Sequence, residues 1–298
     1  MLCVERKLMM LVNPMAGKGA AQAALGGVLE RLSGAGWLPT VYFTRHAGHA
    51  TELAAAHGGD YERLVCMGGD GTLSEVCAGL MRLPERRALG YIPMGTSNDV
   101  AHSLGLSADP LEAAEQAGRG SPVALDLGAF GEREFFTYVA AFGAFTDVSY
   151  DTPQEAKQAL GHLAYMLEGL RRLNRLRAVH ATVETDGETL EGDFLFGAAT
   201  NSTRIAGLVH LDGDTVDLSD GLFEILLVRN PKNILDLGGI IGAVLSADFS
   251  DPSVSFLKSR RARFRFPEPV AWTRDGERGG EHTDLTLRNC HPGVEILV

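Results

Sequence analysis

Three turns in the N-terminal half carry residue types suited to phosphate chemistry. They are Asn13-Pro14-Met15-Ala16-Gly17-Lys18, Gly68-Gly69-Asp70-Gly71-Thr72 and Gly95-Thr96-Ser97-Asn98-Asp99. Glycines let backbone N–H groups approach a phosphate closely, and the start of the following helix favours an anion. Thr96 adds a hydroxyl donor. Asp70 would repel a bare phosphate, so its place is beside a cation or in a proton network at the transferred group. Each turn also has a plainer reading: Asp70 as a helix N-cap, Asn98 and Asp99 as caps, Asn13-Pro14 as an ordinary turn. Three such turns at the ends of adjacent strands make one phosphate-handling rim, a joint signal far stronger than any member. The first is not a Walker A loop, because Lys18 is followed by Gly19 and no glycine stands five residues before Gly17. The HRD and DFG signatures are absent, which excludes protein-kinase chemistry.

The elements that must hold these turns read as alternating strands and helices. Strand signals fall at 8–12, 41–43, 64–67 and 89–93. Helical spacing follows each, with Leu25, Val28, Leu29 and Leu32 on one face of the first helix, then helices at 47–57, from about 72 to 83, and after the Gly95 turn. This alternation predicts a parallel sheet with helices on both faces, binding its ligand at the carboxyl ends of the strands. After about residue 126 the texture changes. Strands are predicted at 135–145, 178–185, 194–199, 223–228, 254–266 and 270–273, interrupted by helices at 154–176 and 231–245. That pattern predicts a β-sandwich-like second domain.

Composition bounds the function. A chain of 298 residues suggests two domains, and 27 basic against 38 acidic residues leave a net charge of −11. Such a balance argues against a nucleic-acid binder and against global attraction to an anionic membrane. Cys3, Cys66, Cys77 and Cys290 are scattered with no CxxC spacing, as expected for reduced thiols in a cytosolic protein. The apolar runs at 8–12 and 237–245 are far short of the ~20 residues of a membrane span, and no secretory signal is evident. A soluble or peripheral protein is expected.

NPMAGK, GGDGTLSE and PMGTSND, in this order and spacing, resemble the diacylglycerol kinase catalytic-domain family of soluble bacterial lipid kinases. The likeness continues through 136–145, Lys157 to Gly161 with Ala164-Tyr165, Asn201, Asp217-Leu218-Ser219-Asp220-Gly221-Leu222 and Asp275-Gly276-Glu277. GGDGT alone is shared with nicotinamide-dinucleotide kinases and resembles the phosphofructokinase turn.

The resemblance implies a phosphofructokinase-like α/β domain at 1–125 that binds ATP, with segment 286–298 returning to it, and a β-rich lipid-binding domain at 126–285. It implies that Asn13, Pro14, Met15, Ala16, Gly17, Thr44, Gly69, Asp70, Gly71, Thr72, Leu73, Ser74, Glu75 and Thr96 surround the nucleotide. Asp70 would organise metal and water at the transferred phosphate, and Glu277 would be the general base. Asp217, Asp220 and the carbonyl of Leu222 would hold a structural Mg²⁺.

Without the resemblance, Glu277 reads as a solvated side chain beside a turn, and the acidic loop, with Asp212 and Asp214 nearby, as solvated acid. Three segments depart from the family pattern or are read loosely. Residues 206–215 are longer than the family stretch, Ala101 is followed by His102 where the family has arginine, and 278–282 read as a polar lid or plain loop.

The implied activity is ATP- and Mg²⁺-dependent transfer of the γ-phosphate to a lipid hydroxyl, diacylglycerol giving phosphatidic acid. The alternatives are a catalytically silent lipid- or nucleotide-binding protein on the same fold, and a nicotinamide-dinucleotide kinase. The implied partners are the lipid, a peripheral membrane surface and, from the family alone, a second copy through the C-terminal domain, with no nucleic acid. The implied location is cytoplasmic, transiently at the inner membrane surface. Two basic clusters, Arg171, Arg172, Arg175 and Arg177, and Lys258, Arg260, Arg261, Arg263 and Arg265, are either membrane contacts or solvated charged faces.

Overall fold

The computed structural model describes residues 6–143, 178–202, 204–205, 209–210, 216–231, 234–246 and 248–298. Its N-terminal strands are β1 (Arg6–Val12), β2 (Trp37–Phe43), β3 (Arg63–Gly68) and β4 (Ala88–Pro93). The helices between and after them are α1 (Ala20–Gly34), α2 (His49–His57), α3 (Asp70–Leu80), α4 (Asp99–Ser103) and α5 (Pro110–Arg119). The strands pair in parallel in the order β2-β1-β3-β4.

Successive side chains of a strand point to opposite faces, so a sheet covered on both sides needs continuous apolar runs. Leu8 to Val12 meets that need: every one of these side chains is fully buried. Met9 and Leu11 pack with α2 and α3 through Ala50, Ala54, Leu73 and Val76. Leu8, Met10 and Val12 pack on the other face with Ala21, Val28 and Leu32 of α1 and Ala113 and Ala117 of α5. The order reverses direction beside β1, and the crevice there opens at the carboxyl ends of β1 and β3.

The remaining strands are β5 (Pro122–Phe130), β6 (Glu134–Phe136), β7 (Val139–Gly143), β8 (Val179–Thr185), β9 (Thr189–Thr200), β10 (Arg204–Ile205), β11 (Val209–His210), β12 (Phe223–Arg229), β13 (Val254–Ser259), β14 (Arg261–Arg274) and β15 (Glu277–Leu297), with α6 (Ile234–Leu245) between β12 and β13. β7 and β8 each pair with both β9 and β14, so the long strands bend round one interior. Trp272 fills it, with ring centroids 4.9 Å from Phe142 and 5.0 Å from Phe264. β15 then joins the two halves. It pairs antiparallel with β14 and β5, and Ile296 lies beside Leu89 of β4 in parallel. The segment expected to return to the N-terminal sheet therefore lies against β4 and β5.

Several expectations are corrected. The strand predicted at 135–145 breaks at Thr137-Tyr138, and that at 254–266 breaks at Arg260, after which β14 runs on through 270–273. Arg278 to His282, read as a lid or loop, belongs to β15. Strand pairing needs only the backbone, so outward side chains stay polar while Gly279 packs beneath Phe130. β5 runs straight across the expected boundary at 125/126. The helix expected at 154–176, with Lys157, Gly161 and Tyr165, and the basic cluster at 171–177 lie outside the described residues. No helix among the described residues is long and apolar enough to cross a membrane.

Candidate active site

The three glycine turns form one continuous rim. At the end of β1 the Asn13 N–H donates to the carbonyl of Met67 (3.0 Å), and its side-chain oxygen accepts the N–H of Met15 (3.0 Å). Its amide nitrogen donates to the hydroxyl of Thr72 (3.2 Å), which ties the first turn to the second. The second turn meets the third at two glycines. A Cβ on Gly95 would stand 2.7 Å from the Asn98 side-chain oxygen and 2.8 Å from the Cα of Gly69, so Gly95 excludes any side chain, and a Cβ on Gly69 would meet the Cα of Gly95 at a tight 3.2 Å. Asn98 adopts the left-handed conformation (φ 49°) and closes the third turn on Gly95 with two hydrogen bonds of 2.8 and 3.1 Å. Gly69, extended, precedes the first turn of α3, so Asp70 is the first helical residue and not the N-cap.

A cavity of about 1220 Å³ opens above this rim. Of the residues that the resemblance places around the nucleotide, Asn13, Pro14, Met15, Ala16, Gly17, Thr44, Gly69, Gly71, Thr72, Ser74, Glu75 and Thr96 line it, and Asp70 and Leu73 do not. Lys18, Arg45, Arg82, Arg133, Arg274 and Arg278 bring positive charge to the same space, and Asp275 and Glu277 reach it from the other half of the molecule. The volume exceeds the ~300–1,000 Å³ of a common small-molecule site, leaving room for a second reactant's headgroup beside a nucleotide.

Asp275 and Gly276 have positive φ (48° and 81°) and make the tight turn of the β14–β15 hairpin, placing exposed Glu277 at the cavity. The Asp275 carboxylate is buried. It accepts the hydroxyl of Ser74 at 2.6 Å and the N–H groups of Thr137, Tyr138 and Val139 at 2.7, 3.0 and 3.1 Å. Burial raises its pKa, and these hydrogen bonds oppose the rise.

Two family models cover the chain: the diacylglycerol kinase catalytic domain over residues 7–130, and the YegS C-terminal NAD kinase beta sandwich-like domain over 142–297. A diacylglycerol kinase of Staphylococcus carnosus is 33% identical over 280 residues, 93% of this chain and 90% of that protein. The chain belongs to the diacylglycerol kinase family. A diacylglycerol kinase of Bacillus subtilis is 31% identical over 278 residues, 92% of this chain and 91% of that one. A solved Bacillus anthracis structure superposes with a TM-score of 0.84 at 23% identity, covering 98% of this chain and 96% of its own. At that identity the likeness shows the fold.

Four of the residues that the resemblance assigns to the nucleotide also serve the protein's own structure. Leu73 is fully buried in the core, and its N–H serves the helix by donating to Gly69 (3.0 Å), so it does not line the cavity. The Ser74 hydroxyl is turned to Asp275. The Glu75 carboxylate accepts the N–H groups of Gly48 (2.7 Å) and Ala50 (3.0 Å), capping the start of α2. Asp70 lies behind the rim, accepting the N–H of Asp99 at 3.0 Å, with the Tyr91 hydroxyl at 3.5 Å. Burial pushes its carboxyl up to about 6. His102, in the place of the family's arginine, is exposed on α4.

Tyr138 is a residue that sequence reasoning missed. Its hydroxyl lies at the hairpin turn, 3.9 Å from where a Cβ on Gly276 would stand, and burial, then the charges of Asp275, Asp70, Asp99 and Glu277, raise its phenol well above the ordinary range. Nothing local in its sequence marks it.

The acidic loop expected to hold Mg²⁺ closes on the chain's own donors. Asp217 accepts the N–H and hydroxyl of Ser219, both at 2.9 Å. Asp220 accepts the Leu222 N–H (2.8 Å), and the Leu222 carbonyl accepts the amide of Asn289 (3.0 Å). The Lys258 ammonium stands 3.8 Å from Asp220 and 3.5 Å from the buried carboxylate of Glu224. These bonds engage one oxygen of each aspartate, and a single lysine stands beside Asp220 and Glu224, so Asp217, Asp220 and the Leu222 carbonyl remain the groups that would hold a structural Mg²⁺ here. In the basic strand Arg263 pairs with Asp284 and Arg265 with Glu184, while Arg260 and Arg261 stand exposed.

Proposed function

We propose that the protein transfers the γ-phosphate of ATP to the free hydroxyl of a diacylglycerol, giving phosphatidic acid and ADP. The observation that carries this reading is the meeting of two unlike surfaces in one cavity. A glycine rim with a helix start and several cations faces a carboxylate, Glu277, brought in by a separate hairpin. Phosphoryl transfer needs in-line positioning, charge neutralisation and a group to accept the hydroxyl proton. In this reading the rim and the cationic side chains hold the phosphates. Glu277 takes the acceptor's proton as its oxygen attacks the γ-phosphorus, and ADP departs.

Mg²⁺ bound with the nucleotide would supply further charge neutralisation at the transferred group. Asp70 fits such a cation, because a neighbouring positive charge would offset the burial that now favours its neutral form. Because the acceptor is a membrane lipid, the reading carries with it transient contact with the bilayer surface at the cytoplasmic face. Relatives named as diacylglycerol kinases over nine-tenths of their length favour the lipid over a nicotinamide dinucleotide as acceptor.

The test is transfer of labelled γ-phosphate from ATP with Mg²⁺ to a panel of lipids in mixed micelles, with nicotinamide dinucleotide as the soluble control. Label is expected in diacylglycerol. Label in the dinucleotide, or ATP binding with no transfer to any lipid, refutes the proposal.

A further inference from the structure

Asp275 takes no proton in this scheme, yet four donors hold its buried carboxylate at the cavity wall. Three of them are the consecutive N–H groups of Thr137, Tyr138 and Val139, at the break between β6 and β7. The Asp275 N–H returns a bond of 2.8 Å to the carbonyl of Val139. The hairpin tip is thus tied down on the C-terminal side by backbone alone. The fourth donor differs in kind. Ser74 belongs to α3, four residues after Asp70 and on the same helical face, and its hydroxyl reaches Asp275 at 2.6 Å. Asp275 stands two residues before Glu277.

We infer that the Ser74–Asp275 hydrogen bond is a positioning device. It ties the helix that starts at the phosphate rim to the hairpin that carries the base, and so sets where Glu277 stands relative to the transferred phosphate. The inference rests on the assignment of Glu277 as base. A left-handed two-residue turn leaves the hairpin tip little internal freedom, so Glu277 follows wherever Asp275 is held. Removing the Ser74 hydroxyl leaves three donors on the carboxylate. The fold therefore survives, while the lateral tie to α3 is lost.

The test compares Ser74→Ala and Ser74→Thr in the wild-type chain and Ser74→Ala in a Glu277→Gln background, with full-length protein and diacylglycerol in mixed micelles. Misplacement of a reacting group by ~1 Å costs up to ~10²-fold, so S74A should lower kcat by about 10-fold. KM for ATP should stay within about twofold, since uniform nucleotide binding is untouched. The pH profile should keep its shape at reduced height, and S74T, which keeps the hydroxyl, should recover most of kcat. In the E277Q background S74A should cause no further loss, because the group it positions is already gone. An equal loss in both backgrounds overturns the inference, as does unchanged kcat in S74A beside an inactive E277Q. Normal turnover in E277Q alone overturns the base assignment, and the positioning inference with it.

Discussion

Replacing Asp70 by asparagine should abolish turnover and stabilise the protein. Burial lifts the Asp70 carboxyl from 3.8 to about 6 in the folded chain. That rise of roughly two units, at 1.36 kcal/mol each, is about 3 kcal/mol. A raised folded pKa means that the folded state takes up the proton more readily than the unfolded chain. The stability linked to neutral Asp70 is therefore full below pH 3.8 and is lost as pH rises through about 6. Asparagine is neutral throughout and keeps an oxygen for the Asp99 N–H. The value of about 6 already includes the hydrogen bonds that favour the charged form, so the net gain above pH 6 is about 3 kcal/mol. For a chain of 298 residues that is roughly a 5 °C rise in Tm. The assay is thermal unfolding of wild type and D70N without nucleotide from pH 4 to 8, beside phosphate transfer at pH 7.5. The Tm difference should be largest above pH 6 and vanish near pH 4, with turnover lost by at least ~10²-fold. A D70N protein less stable than wild type at pH 8, or a difference independent of pH, would refute the view that this carboxylate is held at a cost to the fold.

Other outcomes follow from the same geometry. Glu277→Gln should keep ATP affinity, read by calorimetry, and lose turnover by ~10²–10⁴-fold, the range for a general base. Gly95→Ala drives a Cβ to 2.8 Å from the Cα of Gly69, so the rim must shift at a cost of roughly 1–3 kcal/mol. A large fall in nucleotide affinity should result, and unchanged ATP binding would show that the rim does not hold the phosphates. Chelation should lower the Tm of the nucleotide-free chain, since a single lysine stands beside Asp220 and Glu224 and a cation at the acidic loop stabilises the state that binds it. An unchanged Tm with EDTA would show that no structural cation occupies that loop.

The sequence by itself determined the local parts. The strands β1, β3 and β4 are announced by apolar runs that a two-faced sheet requires, while the edge strand β2 is half exposed and only its residues 41–43 are legible. Asp275-Gly276 is legible as a turn because that dipeptide accepts two left-handed residues. What the sequence could not determine was the use of side chains whose partners come from distant elements. Leu73, Ser74 and Glu75 are consecutive and were all expected at the nucleotide. A helix turns about 100° per residue, so they point three ways: into the core, to the β14–β15 hairpin and to the start of α2. The acidic loop reads as a cation site, and only the fold shows that β13 lays Lys258 beside it. Residues 278–282 read as a loop because they are polar, yet a strand is made by backbone bonds to its neighbour, and only the fold supplies that neighbour. Asp70 is legible by its motif, but its raised pKa comes from burial, which exists only in the folded chain.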